Sequence, residues 1–576
     1  MPSNTIPRSL DEETGLDHQV AVVGAGPTGL LVAAELALGG VDVVVLDRLE
    51  APDPTIKAGS INVATAEILD RRGLRPAAEA AQLRFFDELK AFAAATGRAM
   101  PPVGGRGPAG GGHRPVGAGQ GPAAGGRPPF PSTGHFAGLF FRPDLVDQTD
   151  PEIAAHGGAG ASVMVRQAEV EALLASHADA LGVQVLRGVE VTGLDEIQGD
   201  DGADVGVALT TDRGPIRVAW VVAADGGRSR VRRLAGIDFV GTDAEITGYQ
   251  AIADMEGVDG TLQPGWTHTS TGVYSFGPVP GRILTVQFTG APDRATRDQP
   301  VTVEELQASI RLVTGQDITV TAIHGRATRW TDNARQATTY RAGRVLLAGD
   351  AAHVRSPFSG QGLNLGAGDA INLGWKLAAT INGWAPEGLL DTYSAERHPI
   401  GAQVLDWTRA QVALMRGDDK TTQLRRVVQQ DLLSNTATTT HLVLTTSGVA
   451  QRYDLAPADA DAPTHPQVGR LVGDMPLTDG SRLAEHCTTG RFVLLDRLGG
   501  ELVAAEGGAQ ERVESVLEGS AAPGCPDAYR DFTGLLVRPD GVVAWATDTV
   551  DAELASAELR AALTRWAGAA VSTAVA

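Results

Sequence analysis

Gln19-Val20-Ala21-Val22-Val23-Gly24-Ala25-Gly26-Pro27-Thr28-Gly29 decides the architecture of this chain. A short apolar strand over 19–23 runs straight into a glycine-rich turn. A helix follows over 27–38, with Pro27 in its first turn, where a missing N–H goes unnoticed, and Gly39-Gly40 as its stop. A second strand over 41–46 ends at Asp47-Arg48. Strand, turn, helix and strand make the start of a βαβ unit. Each glycine then has a mechanical reason. Gly24 makes the tight turn, Gly26 admits a pyrophosphate to the backbone, and Gly29 lets helix and strand pack closely. Asp47, about 20 positions on, reaches ribose hydroxyls. A lone GxGxxG is weak, but here every flanking element stands in place, and the pattern reads as a dinucleotide-binding unit. Nothing in this motif separates a nicotinamide from a flavin.

Composition bounds the alternatives. At 576 residues the chain holds two or three domains, and 43% hydrophobic with 20% charged residues is ordinary for a soluble globular protein. A net charge of -21 argues against nucleic-acid or anionic-membrane partners, which need a basic footprint. Cys487 and Cys525 are the only cysteines and form no CxxC, so neither a metal site nor a dithiol centre is expected. The segment 1–17 lacks the apolar stretch of a secretory signal, and no apolar run reaches membrane-spanning length. A cytoplasmic location is the default.

Two further motifs repeat the logic of the first. The apolar strand over 216–222 leads into Ala223-Ala224-Asp225-Gly226-Gly227-Arg228-Ser229-Arg230-Val231-Arg232. A third strand over 344–348 leads into Gly349-Asp350-Ala351-Ala352-His353-Val354-Arg355-Ser356-Pro357-Phe358-Ser359-Gly360-Gln361-Gly362-Leu363-Asn364, and an amphipathic helix is expected over 365–381. An acid at a strand end accepts hydrogen bonds from sugar hydroxyls. The glycines let backbone N–H groups approach a ligand, and the helix dipole favours negative charge. Asp-Gly alone is a common turn. The Arg-Ser-x-x-Arg run after it favours a functional reading.

With these three motifs in this order, the chain resembles the class A flavoprotein monooxygenases, the para-hydroxybenzoate hydroxylase-like family. The resemblance is strongest over 18–95, 160–240 and 335–400. It implies FAD as cofactor, with NADPH (or NADH) as a reductant that docks transiently. It also implies cofactor contacts at Gly24, Gly26, Pro27, Thr28, Gly29, Asp47, Arg48, Gln167, Asp225, Gly226, Gly349, Asp350, Pro357, Gly360, Gln361, Gly362, Leu363 and Asn364. Asp350 would hold the ribityl chain, and Pro357 with the 360–364 backbone would lie beside the flavin ring. Where many members carry arginine, this chain has Lys57, a point charge for a phosphate rather than a bidentate contact, and Ala64. The loop Ser356-Pro357-Phe358-Ser359-Gly360 also departs from the usual two prolines and two glycines. His353 and Pro357 are the catalytic candidates. Lys376 and Trp375 read as structural, and Trp266, Tyr274, Phe276 and Phe288 as strand core.

The same resemblance implies the domains: α/β, with a Rossmann-like FAD-binding domain (GR2-type) over 18–81, 143–238 and 335–415. An interleaved β-sheet substrate domain takes 82–142 and 239–334, with a Gly/Pro-rich flexible insertion at 101–131. A helix and linker fill 416–465. The tail over 466–570, with Val468-Gly469-Arg470-Leu471-Val472-Gly473-Asp474-Met475-Pro476 and Arg538-Pro539-Asp540-Gly541, is similar to the thioredoxin-like domain of phenol and aromatic polyketide hydroxylases. The implied activity is hydroxylation of an aromatic polyketide-type substrate with dioxygen, through a flavin hydroperoxide, by a monomer or homodimer. Baeyer–Villiger oxygenation, a simple phenol hydroxylase, a non-oxygenating flavin reductase and a non-catalytic flavin-binding partner are the alternatives.

Overall fold

The computed structural model describes residues 15–55, 57–96, 134–156, 162–199, 202, 204–277, 279–292, 299–455 and 464–568. The Gly/Pro-rich stretch at 101–131 lies outside them. The fold is mixed α/β. Its largest sheet places the strands in the order Arg341–Ala342, Val345–Leu347, Gly214–Ala223, His18–Val23, Val43–Asp47, Gln184–Arg187. The last five run parallel. Such strands are buried on both faces, which explains their near-continuous Val, Leu and Ala. Asp204–Thr211 and Val191–Gln198 extend the sheet as antiparallel strands.

Register fixes the site. Val23 lies beside Ala223, and Ala223 beside Leu347. The three strands therefore end level, and the three motif loops leave from one edge. The helix Pro27–Leu38 covers the sheet and packs against Gln361–Ile381 and Gln167–Ala180. The helix expected over 365–381 starts four residues earlier. Gly360, at φ 61, is its N-cap, so Gln361 to Asn364 form its first turn rather than loop.

A second, antiparallel sheet runs in the order Gly265–His268, Gly272–Phe276, Arg282–Gln287, Thr247–Glu256, Thr319–Thr331. Side chains alternate across it. Tyr249, Ala251, Tyr274 and Ile283 meet Leu306, Ile310 and Val313 of the helix Val303–Thr314. Val273, Leu284 and Val286 face the other way, toward Phe358, Leu414 and Met415. Within 416–465, expected as a helix and linker, Asp419–Val427 and Thr436–Ser447 are helices, and Val443 and Leu444 of the second complete this apolar cluster.

The C-terminal sheet orders its strands Val513–Leu517, Phe492–Asp496, Gly534–Val537, Val543–Thr547, with the helix Ala552–Ala567 packed on it. It is held to the rest by buried charge. Arg538 donates to both carboxylate oxygens of Glu396, at 2.9 and 2.8 Å, and Lys376 lies 2.8 Å from the same carboxylate. Arg538 also stacks over Trp375 and Trp566. Arg72 forks onto Glu35 at 2.6 and 2.7 Å and donates to the carbonyls of Cys487 and Pro539. Lys376 and Trp375 are thus structural, as expected.

Candidate active site

The turn 24–29 is tight by necessity. A β-carbon at position 24 would lie 2.3 Å from the Ala224 carbonyl oxygen, and Gly24 has φ 110, a region L side chains rarely adopt. Gly26 differs: nothing stands within 4 Å of where its β-carbon would be. Open space therefore lies beside it, at the N-terminus of the helix Pro27–Leu38, where backbone N–H groups are free to meet an anion. Asp47 closes the turn from the second strand. Its carboxylate accepts from the N–H of Ala25 at 2.7 Å and of Leu49 at 2.8 Å. Lys57 pairs with Asp53 at 3.0 Å, and the N–H of Gln167 bonds the Ala58 carbonyl at 2.8 Å.

Asp225 caps the helix Arg230–Leu234 through one oxygen, accepting from Arg230 and Val231 N–H at 2.7 and 3.2 Å. Its other oxygen is buried without a hydrogen-bond partner. Burial pushes this carboxyl above its ordinary range, against the hydrogen bonds it accepts. Arg232 joins the second and third motifs, donating to the carbonyls of Ala351 at 2.7 Å and Gly227 at 3.2 Å.

The third loop is pinned from behind. Asp369 is fully buried and accepts from Gly349 N–H at 3.0 Å and Arg397 Nε at 2.8 Å, with His353 Nε2 at 2.7 Å. Burial raises its carboxyl, but His353 and Arg397 outweigh that and hold it below its usual range. His353 is wholly buried in this brace, so its geometry is that of a positioning residue; proton transfer to a substrate would need an exposed nitrogen. Asp350, on the opposite side, is more than half exposed, and its Oδ1 accepts from Arg355 at 3.0 Å. Asn364 reaches across to accept from Asn62 N–H at 3.0 Å.

Phe358, in this loop, contacts the second sheet. Its ring centroid is 5.5 Å from Trp330, edge-on, and 6.0 Å from Trp266. The aromatic set expected as strand core divides by alternation. Tyr274 and Phe276 pack on the helix side, whereas Trp266 and Phe288 join the cluster that holds Phe358. An aromatic floor thus faces the third loop. Burial holds His135 at about 4 on that side, and burial with the nearby Arg425 holds His268 at about 3.

Open space beside Gly26, helix N-termini at Pro27 and Gln361, and acids at three strand ends suit a dinucleotide whose ring end meets an aromatic floor. Residues 17–408 match the family model described as FAD binding domain, and 465–570 match that described as aromatic-ring hydroxylase, C-terminal. The chain belongs to the FAD-dependent aromatic-ring monooxygenases. Among relatives of this monooxygenase, the 12-dehydrotetracycline 5-monooxygenase/anhydrotetracycline 6-monooxygenase of Streptomyces rimosus is 37% identical over 575 residues, covering 96% of this chain and 99% of the relative. The rifampicin monooxygenase of Streptomyces venezuelae is 34% identical over 559 residues, covering 96% and 99%. The crystal structure of CabE, an aromatic hydroxylase from angucycline biosynthesis, superposes with a TM-score of 0.75 at 32% identity, covering 96% and 99%.

Sequence reasoning missed several residues of this monooxygenase. Asp369 and Arg397 brace the third loop from helices, and Trp330 shapes the floor. Asp369 follows Asn364 by five positions on one helix, a signal that was present but weak. Arg397 and Trp330 carried none, because their roles depend on packing between distant segments.

Proposed function

We propose that this protein inserts one atom of dioxygen into an aromatic polyketide-type substrate, using FAD and a transiently docked NADPH or NADH. The observation that carries the reading is the meeting of Phe358 with Trp266 and Trp330, which sets an aromatic floor against the loop of the third motif. The relatives named above, two named for tetracycline-type compounds and rifampicin and one from angucycline biosynthesis, support the substrate class. Bound FAD, once reduced, supplies the activation of dioxygen.

The residues divide the work. Gly24, Gly26, Pro27, Thr28 and Gly29 would receive the pyrophosphate at the helix N-terminus, with Asp47, Arg48, Lys57 and Gln167 toward the adenosine side. Asp225 and Gly226 line the middle of the cofactor. Gly349 and Asp350 hold the ribityl chain, and Pro357, Gly360, Gln361, Gly362, Leu363 and Asn364 stand beside the ring. Asp350 must then exchange its contact with Arg355 for sugar hydroxyls. Phe358, Trp266 and Trp330 keep water from the reacting edge. We assign the parallel sheet to a Rossmann-like, GR2-type FAD domain, the second sheet to an interleaved substrate domain, and residues 466–570 to a thioredoxin-like domain. Its cysteines, Cys487 and Cys525, are both buried, and its role is to brace the cofactor domain through Arg538.

The test is direct. The purified protein should be yellow, hold one FAD per chain, and oxidise NADPH faster when polycyclic phenols are added. Product formed under labelled dioxygen should carry one labelled oxygen, located by NMR on an aromatic carbon. Colourless protein that takes up no FAD would overturn the reading.

A further inference from the structure

Four helices enclose a pocket beside the cofactor motifs. Pro27–Leu38 packs against Gln167–Ala180 and Gln361–Ile381, and the short helix Val63–Asp70 packs on the last of these. The pocket between them is partly enclosed and measures about 250 Å³, its open end included. Pro27, Thr28 and Leu363 stand half-buried at that end. Leu31, Leu69, Leu174 and Ala367 are buried and close the other end, one from each helix. Leu31 lies four residues past Pro27, and Ala367 four past Leu363, so the pocket runs about 6 Å into the bundle.

The lining suits an apolar occupant. An ordered water needs roughly three polar partners. Past the first turn the helix backbone bonds are internal, so the side chains must supply them. Two hydroxyls line the pocket, and no charged group does. Thr28 Oγ1 is turned onto the third motif: β-carbons at positions 349 and 366 would lie 2.8 and 2.3 Å from it. Thr65 is 3% exposed, and its Oγ1 has no hydrogen-bond partner among the described residues. One hydroxyl among leucines does not hold a water. A small apolar molecule gives up nothing on leaving solvent and gains contact with carbon on every side. Position then decides which one. Leu363 packs on the core of the parallel sheet, whereas Phe358 belongs to the cluster of the second sheet. The pocket therefore meets the flavin-ring end from the side away from the aromatic floor.

We propose that this pocket takes up dioxygen, the apolar co-substrate, and passes it to the flavin by way of Leu363 while the organic substrate lies on the floor. This rests on the oxygenase reading above and adds a binding site for its gas.

Crystals of the FAD-loaded protein are pressurised with xenon, an apolar atom that enters such cavities. One xenon should appear between Leu31, Leu69 and Leu174. Leu174→Phe should abolish it. Val170→Ile, which adds a single carbon at the same place, should weaken it and serves if the larger ring does not fold. Thermal melts and FAD content confirm that each variant is folded and loaded. Without organic substrate, dioxygen takes two electrons from the reduced flavin and leaves, with two protons, as hydrogen peroxide. The second-order rate constant of that step should fall roughly fivefold or more in Leu174→Phe, while reduction by NADPH keeps its rate. An ordered water in the parent's pocket, no xenon there, or a parent-like rate constant in the filled variants overturns the proposal. Protein without FAD uptake or NADPH oxidation defeats the oxygenase reading instead, so the two failures are distinguishable.

Discussion

Asp369 accepts the backbone N–H of Gly349 at 3.0 Å, from a helix that lies behind the third loop. One carboxylate thus fixes the turn that presents Asp350, while its remaining bonds go to His353 and Arg397. Asp369→Asn leaves Arg397 buried without its counter-charge. Unfolding free energy should fall by about 3–5 kcal/mol in denaturant titrations, and FAD should dissociate more easily. A variant as stable as the parent would remove this brace from the account.

Gly26 and Gly24 make opposite predictions two residues apart. Gly26 sits at φ -78 with open space around it, so Gly26→Ala should leave the stability of the FAD-free protein within about 0.5 kcal/mol. Its added methyl group occupies the place proposed for the pyrophosphate, so FAD affinity should drop steeply. Gly24→Ala drives a β-carbon into the Ala224 carbonyl at positive φ and should fail to fold. Thermal melts with and without FAD read both outcomes.

Asp350 is more than half exposed, so its removal leaves no buried group stranded apart from its partner Arg355. Because the buried Arg355 loses its counter-charge, Asp350→Ala should purify folded and colourless but melt below the FAD-free parent. Retention of stoichiometric FAD would show that the ribityl chain lies elsewhere.

Glu396 predicts a pH dependence. Burial raises its carboxyl, but Arg538 and Lys376 reverse this and hold it well below the ordinary value of 4.5. A depressed carboxylate contributes stability that is complete above that ordinary value and is lost as the pH falls through the folded-state value. Glu396→Gln should therefore cost about 3–5 kcal/mol near neutrality. The gap to the parent should narrow as the pH drops below about 4.5. Urea midpoints across the acid range test the sign; a gap that widens in acid would contradict it.

Trp266 is half-buried beside Phe358. Its ring offers a substrate about 0.5–1.5 kcal/mol of aromatic contact. Trp266→Leu should raise KM for the aromatic substrate roughly 3- to 10-fold at unchanged FAD content. Steady-state oxygen uptake measures this.

Local pattern made the cofactor half legible. A glycine turn between strand and helix needs only a dozen consecutive residues, and Gly24 to Gly29, Asp225-Gly226 and Gly349-Asp350 each announced a strand end without reference to the others. Helix starts were less secure: Gly360 moved one by four positions, because a left-handed N-cap glycine looks the same as a loop glycine in a sequence. Register divides the aromatic set between the two faces of its sheet. Trp266 and Tyr274 sit on adjacent strands with similar composition, and only the pairing of Trp266 with Ser275 shows that they face opposite ways.

By itself, then, the sequence determined the βαβ start, the order of the three motifs, the acidic character of the chain and the presence of a separate tail, since each depends on neighbours in the chain. Tertiary structure alone decided what the segments do to one another. Level strand ends bring positions 24, 225 and 349 to one edge, Asp369 and Arg397 brace a loop from behind, and Phe358 meets Trp330. Charge compensation and alternation across a sheet depend on which strands pair and in which register, and pairing between distant segments leaves no mark on local composition.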